Sequence, residues 1–111
     1  MSAKTFSVTI ESELKEAVAL LQAIDFNKSK LKYLYFQEEQ DQEGQRWLQG
    51  TIQFNERRTI NFVNNFLIGI GINAHIEKAR AVNALYDYVL RKSPKVKGGI
   101  KIELGKPLGQ V

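Results

Sequence analysis

No cysteine occurs among the 111 residues. The chain therefore cannot form a disulfide or a thiolate metal site, and it has no cysteine nucleophile. Proline occurs only twice. There is no Pro- or Ser-rich stretch, no low-complexity tract and no internal repeat, so nothing marks a linker, and a single domain over residues 1–111 is expected. No apolar run approaches the roughly 20 residues of a membrane span. The opening "MSAKTFSVTI" lacks the apolar segment of a secretion signal. An intracellular protein with no membrane partner is the expectation.

Hydrophobic residues make up 43% of the chain and charged residues 25%, enough apolar material for one core. The net charge of +4 is unevenly spread. From residue 78 onward, Lys78, Arg80, Arg91, Lys92, Lys95, Lys97, Lys101 and Lys106 face only Asp87 and Glu103, a net +6 on a body of −2. A basic final third on a slightly acidic body suggests a polyanion partner, above all nucleic acid.

"TFSVTI" (5–10) alternates like a strand. "SELKEAVALLQAI" follows as a helix with Ser12 as its N-cap and Leu14, Ala17, Val18, Leu21 and Ile24 on one stripe. After a turn at "NKSK", residues 31–39 and 46–54 read as two strands joined by the polar loop "QDQEGQ" with Gly44. "NERRT" leads into a helix over 59–67 whose apolar stripe is Ile60, Val63 and Leu67. A short strand (74–79), a third helix (82–92) and a last strand (100–104) complete the order β-α-β-β-α-β-α-β. This order predicts an α+β fold: an antiparallel sheet of about five strands, helices mainly on one face, of the split ferredoxin-like kind.

In "QRWLQGTIQF" (45–54), Leu48, Gly50, Ile52 and Phe54 form an ordinary buried face. Trp47, Gln49, Thr51 and Gln53 share the other, and the preceding strand adds Tyr33, Tyr35 and Glu39 to it by the same alternation. If that face is open, aromatic rings among amides make a base-stacking platform. If a helix covers it, the rings are core.

The stretches "YLYFQEEQDQEGQRWLQGTIQF", "AHIEKARAVNALYDYVLRK" and "GGIKIELGKPLGQ", in this order and spacing, resemble the N-terminal nickase domain of the replication-initiator (Rep) proteins of circular single-stranded DNA viruses. The resemblance to circoviruses and nanoviruses is strongest. It implies the HUH endonuclease fold. It also implies a Mg²⁺ or Mn²⁺ ion held by a Glu and a His-x-Gln or His-x-His pair, a tyrosine that attacks the scissile phosphate to give a 5′-phosphotyrosine, and a helper lysine.

On these positions the sequence departs from the family. Trp47-Leu48-Gln49-Gly50 stands for His-Leu-Gln-Gly, and an indole has no lone pair for a metal. Glu39, or Glu38 in the other hairpin register, takes the place of the metal-binding Glu. His75 matches a family histidine that is not a ligand. Val89 falls on the tyrosine position and Lys92 on the lysine; Tyr88 is one residue early, and Tyr86 is a poorer substitute. "FSVTI" replaces the family's "FTLNN".

A Rep-like domain without nicking activity, binding nucleic acid with no cofactor, is the leading expectation. Its contacts would come from Tyr33, Tyr35, Trp47, Gln49 and Gln53 on the sheet, and from Arg57, Arg58, Lys78, Arg80, Arg91, Lys92, Lys95 and Lys97. A live nickase using Tyr88, Lys92, Glu39, Gln49 and Mg²⁺ or Mn²⁺ is the alternative. A protein–protein assembly domain, self-associating as a homo-oligomer, is a third. For a viral protein, the host nucleus or cytoplasm is the expected location.

Overall fold

Each stretch of alternating side chains that falls within the described residues forms a strand, and the structure, a computed structural model, describes residues 2–79 and 99–106. Its elements are β1 (Ser2–Ile10), α1 (Leu14–Gln22), α2 (Phe26–Ser29), β2 (Leu31–Gln40), β3 (Arg46–Thr59), α3 (Ile60–Gly69), β4 (His75–Lys78) and β5 (Lys101–Gly105). The strands make one antiparallel sheet in the order β4-β1-β3-β2-β5. This is the expected α+β architecture, an open five-stranded antiparallel sheet, with three helices among the described residues. The third helix expected over 82–92 lies outside the described residues.

One sheet face carries Phe6, Val8 and Ile10 from β1, Leu34 and Phe36 from β2, and Leu48, Ile52 and Phe54 from β3, all fully buried or nearly so. Against them pack Ala17 and Leu21 of α1 and Val63 and Leu67 of α3, forming one core. Phe54 sits at its centre, edge-on to Phe6, Phe62 and Phe66 at 5.9–6.2 Å. The two central strands touch across Gly50, which pairs with Phe36. A Cβ there would come within 2.5 Å of the Phe36 ring and closer still to the Tyr35 carbonyl oxygen.

The β2–β3 turn is built by Asp41. Its Oδ1 accepts hydrogen bonds from the Glu43 and Gln45 amides at 2.9 Å each, and Gly44 takes the left-handed conformation (φ 88°) that closes the loop.

The element boundaries depart from expectation in four places. Ser12 is not the cap of α1; Glu13 occupies that place, in a left-handed conformation and without a side-chain hydrogen bond. The "NKSK" turn belongs to the short helix α2, started by Asp25, whose Oδ1 accepts from the Lys28 amide at 3.0 Å. β3 runs on through "NERRT" to Thr59, because Arg58 and Thr59 pair with Ala3 and Ser2 of β1. Between Ala3 and Thr5 the register jumps from Arg58 to Gln53, so residues 54–57 bulge opposite Lys4. Ile60 leaves the stripe assigned to it and is exposed, as is Phe62 in part.

Thr59 caps α3: its Oγ1 accepts from the Phe62 amide at 3.1 Å. Thr59→Ala should cost about 1 kcal/mol, and Thr59→Ser should keep most of it. Urea midpoints of the two variants check this; equal midpoints would show that the cap does nothing.

Candidate functional site

The second sheet face is polar, and strand pairing fixes which side chains meet on it. Glu39 stands directly opposite Trp47, Gln37 opposite Gln49, Tyr35 opposite Thr51 and Tyr33 opposite Gln53. On the other side of β3, Thr9 pairs with Gln49 and Ser7 with Thr51. Glu38, the other candidate for the acidic position, lies on the core face. Its Oε1 accepts from the Ile100 amide (3.0 Å) and its Oε2 from Arg46 Nη1 (3.2 Å). Glu39 therefore shares a face with Trp47 and Gln49.

Of the two readings of this face, open platform or covered core, the burial of its tyrosines fits the second. Tyr33, Tyr35 and Gln53 are 0%, 1% and 1% exposed, so as placed they offer no surface to a base. Alternation assigned them to the right face, but polarity along a strand does not reveal what covers it. Their polar atoms are used internally. Tyr33 donates to Glu103 Oε2 at 2.6 Å, which ties β5 to β2. Tyr35 donates to Gln37 Oε1 (3.1 Å), and Gln37 Nε2 donates to Glu39 Oε2 (3.3 Å). This relay along one strand ends on a buried carboxylate. Trp47 and Gln49 are only partly buried.

Whether the face could hold a divalent cation turns on Glu39, Gln49 and whatever stands at position 47. Gln49 is committed to β1: its Oε1 accepts from Thr9 Oγ1 (3.0 Å), and its Nε2 donates to Ser7 Oγ (3.2 Å) and the Val8 carbonyl (3.4 Å). Trp47 supplies no donor atom to a metal. No group of three His, Cys, Asp or Glu side chains converges anywhere among the described residues. One carboxylate and one committed amide do not fit a Mg²⁺ or Mn²⁺ ion, which needs several well-placed oxygen or nitrogen ligands.

The basic residues gather at the far end of the sheet. Arg57 is exposed and donates to the backbone and side chain of Ser2. Arg58 lies over the Phe62 ring, 4.6 Å from its centroid, and pairs with Glu56 at 3.3 Å. Lys30 reaches the same carboxylate at 3.1 Å. Lys30, by its hydrogen bond and its charge, with Arg58 adding to it, holds the Glu56 carboxyl below the ordinary carboxylate range. Lys78 lines a shallow cleft with Thr59, Ile60 and Asn61, just after Arg58 in the chain. Glu56 thus sits between Lys30 and Arg58, next in the chain to Arg57 on Ser2, while Lys78 borders Thr59. Charge counting along the sequence did not bring Lys30 into this group; the β3 bulge does, through the Asn55 amide bonded to the Lys30 carbonyl at 2.8 Å.

Tyr86, Tyr88, Val89, Arg80, Arg91, Lys92, Lys95 and Lys97 lie outside the described residues. His75 is exposed on edge strand β4, on the polar face.

The family model for viral replication proteins (Viral_Rep) matches residues 4–92. The chain belongs to this viral replication protein family. No curated protein matches it individually. The match covers β1 from Lys4 onward, β2, β3 and β4, and includes the Trp47–Gly50 segment. The Rep-like resemblance read from the motifs is therefore shown, and with it a viral replication protein.

Proposed function

We propose that this member of the viral replication family is a nucleic-acid-binding domain that does not carry out the metal-dependent nick. The observation that carries the reading is Trp47 standing opposite Glu39, with Gln49 turned to β1. The scaffold that positions a catalytic cation in the resembled Rep proteins is kept, and the ligand set is not. No step through a metal or a phosphotyrosine is assigned to Tyr88 or Lys92. What the chain retains is positive charge: Lys30, Arg57, Arg58 and Lys78 at one end of the sheet, and in sequence Arg80, Arg91, Lys92, Lys95 and Lys97. Phosphate contacts of this kind give affinity without base specificity. Trp47, on the same sheet face as the buried tyrosines but partly exposed, is the ring among the described residues of that face that a base could reach.

The test uses fluorescent single-stranded DNA and RNA with Mn²⁺ or with EDTA, run on native and denaturing gels. A shift that is indifferent to metal, with no covalent adduct and no cleaved strand, is the expected result. An adduct or cleavage that requires Mn²⁺ would overturn the reading in favour of a live nickase. An oligomer that binds neither nucleic acid at low salt would favour an assembly domain.

Affinity should also fall steeply with salt. Each phosphate contact on a single strand contributes about −0.7 to the slope of log K against log salt. The triple variant Arg57→Ala, Arg58→Ala, Lys78→Ala should therefore flatten the slope by roughly 2. An unchanged slope would place the contacts elsewhere.

A further inference from the structure

The polar face carries a second pair of alternate residues on one strand, and it has the donor chemistry that the Trp47–Gln49 pair lacks. Pairing sets Ile76 opposite Val8 of the core face, so His75 and Glu77 both project from the polar face, opposite Thr9 and Ser7. The His75 Nε2 and Glu77 Oε1 atoms are 3.4 Å apart, and the two side chains are 67% and 69% exposed.

The geometry points to a transition-metal site on β4, with His75 and Glu77 as its ligands and Zn²⁺ as the ion it fits best. Zinc bonds to imidazole nitrogen and carboxylate oxygen are about 2.0–2.2 Å long. Two donors 3.4 Å apart then subtend roughly 110° at the ion, the angle of a tetrahedron. The pair brings one nitrogen and one oxygen, a set that favours zinc and its transition-metal neighbours over Mg²⁺ or Ca²⁺, which prefer all-oxygen cages. Both side chains project from one strand and are exposed, so the ion's approach is open to water. Two tetrahedral positions remain for water or a phosphate oxygen. His75 also borders a polar cleft lined by Thr9, Glu11, Ser12, Asn73 and Ala74.

The site lies two strands from the Trp47–Gln49 segment, across β1, roughly 10 Å away at the usual strand spacing. It is thus distinct from the position where the resembled Rep proteins hold their cation. It does not depend on whether the chain binds nucleic acid.

The chain's single histidine makes the test direct, because one imidazole gives one pair of ring-proton signals. Zinc chloride titrated into the intact protein should shift those signals saturably, and calorimetry should give a one-site isotherm. Glu77→Gln should weaken binding by about tenfold or more while leaving the imidazole in place, and His75→Ala should abolish the isotherm. Both residues are exposed, so both variants should fold, and circular dichroism checks this. Zinc binding to Glu77→Gln as tightly as to the natural chain would reduce the site to a lone surface imidazole and overturn the proposal. Signals unmoved by millimolar zinc would do the same.

Discussion

Trp47→His should confer Mn²⁺ binding on the centre of the sheet. The pairing already sets position 47 directly across from the Glu39 carboxylate, and Gln49 projects from the same face two residues on. Directly opposed residues in an antiparallel pair have Cβ atoms about 4.5–5.5 Å apart, and diagonal ones about 7–8 Å. An imidazole at 47, the Glu39 carboxylate and the Gln49 amide could then converge on one ion, once Gln49 releases Thr9. The measurement is Mn²⁺ affinity by electron paramagnetic resonance in a His75→Ala background, so that β4 contributes nothing. A gain of at least about tenfold, equivalent to about 1.4 kcal/mol, is expected over the same background with Trp47. No gain would mean that Trp47 is not what prevents metal binding, and that the face has closed in some other way. Nicking is not expected to return with the metal, since by the Rep resemblance Val89 falls where those proteins carry the tyrosine.

The second large effect is structural and falls within the same four-residue segment. Gly50→Ala should destabilise the protein by about 3 kcal/mol or more, at or beyond the upper end of overpacking costs. The added methyl would collide with the Tyr35 carbonyl as well as with the Phe36 ring. A ring can rotate aside, but the carbonyl belongs to the neighbouring strand, so relief requires β2 and β3 to part. Their pairing holds the centre of the sheet. Against a total stability of roughly 5–15 kcal/mol this loss is severe. Thermal and urea unfolding would register it, and a variant as stable as the parent would show that the strands have slack. The glycine of "LQG" thus has a packing reason that owes nothing to catalysis.

Much of this was legible from alternation alone. The period of two in "YLYFQEE" and "QRWLQGTIQF" put Glu39 on the face of Gln49 and identified the core residues of both strands, because register and face follow directly from the pleat. The loop between them was legible from its polar run and Gly44, though not the part Asp41 plays in it. What failed was whatever depended on partners far away in sequence. "NERRT" has no apolar alternation, yet it is strand, because Ser2 and Ala3 lie beside it and backbone groups make that pairing. The four residues of α2 are too few to show a helical period. Ser12 is a better capping residue than Glu13, but the chain enters α1 through a left-handed residue that composition did not reveal. Tyr33, Tyr35 and Gln53 were placed on the correct face with their accessibility left open, since the sequence of a strand carries no record of its cover. The His75–Glu77 pair is visible in "HIE", but only the pairing with β1 shows which way it faces.

The strand order also dictates when the molecule can fold. β1, made first, has no sheet partner until β3 arrives, where Ile10 meets Leu48 and Ser2 meets Thr59. β2 pairs on one side with β3 through a tight loop, but on its other side it waits for β5, with Leu34 opposite Leu104. Among the described ladders, only the β2–β3 hairpin can form from neighbouring residues. It is the natural nucleus, and the remaining ladders each close a long loop at an entropic cost before any pairing repays it. Folding should be slow for a chain of this size, in milliseconds to seconds. Until residue 105 has been synthesised, the edge of β2 stays bare, and a nascent chain carries an unsatisfied strand that a chaperone, or a neighbouring chain, can take up.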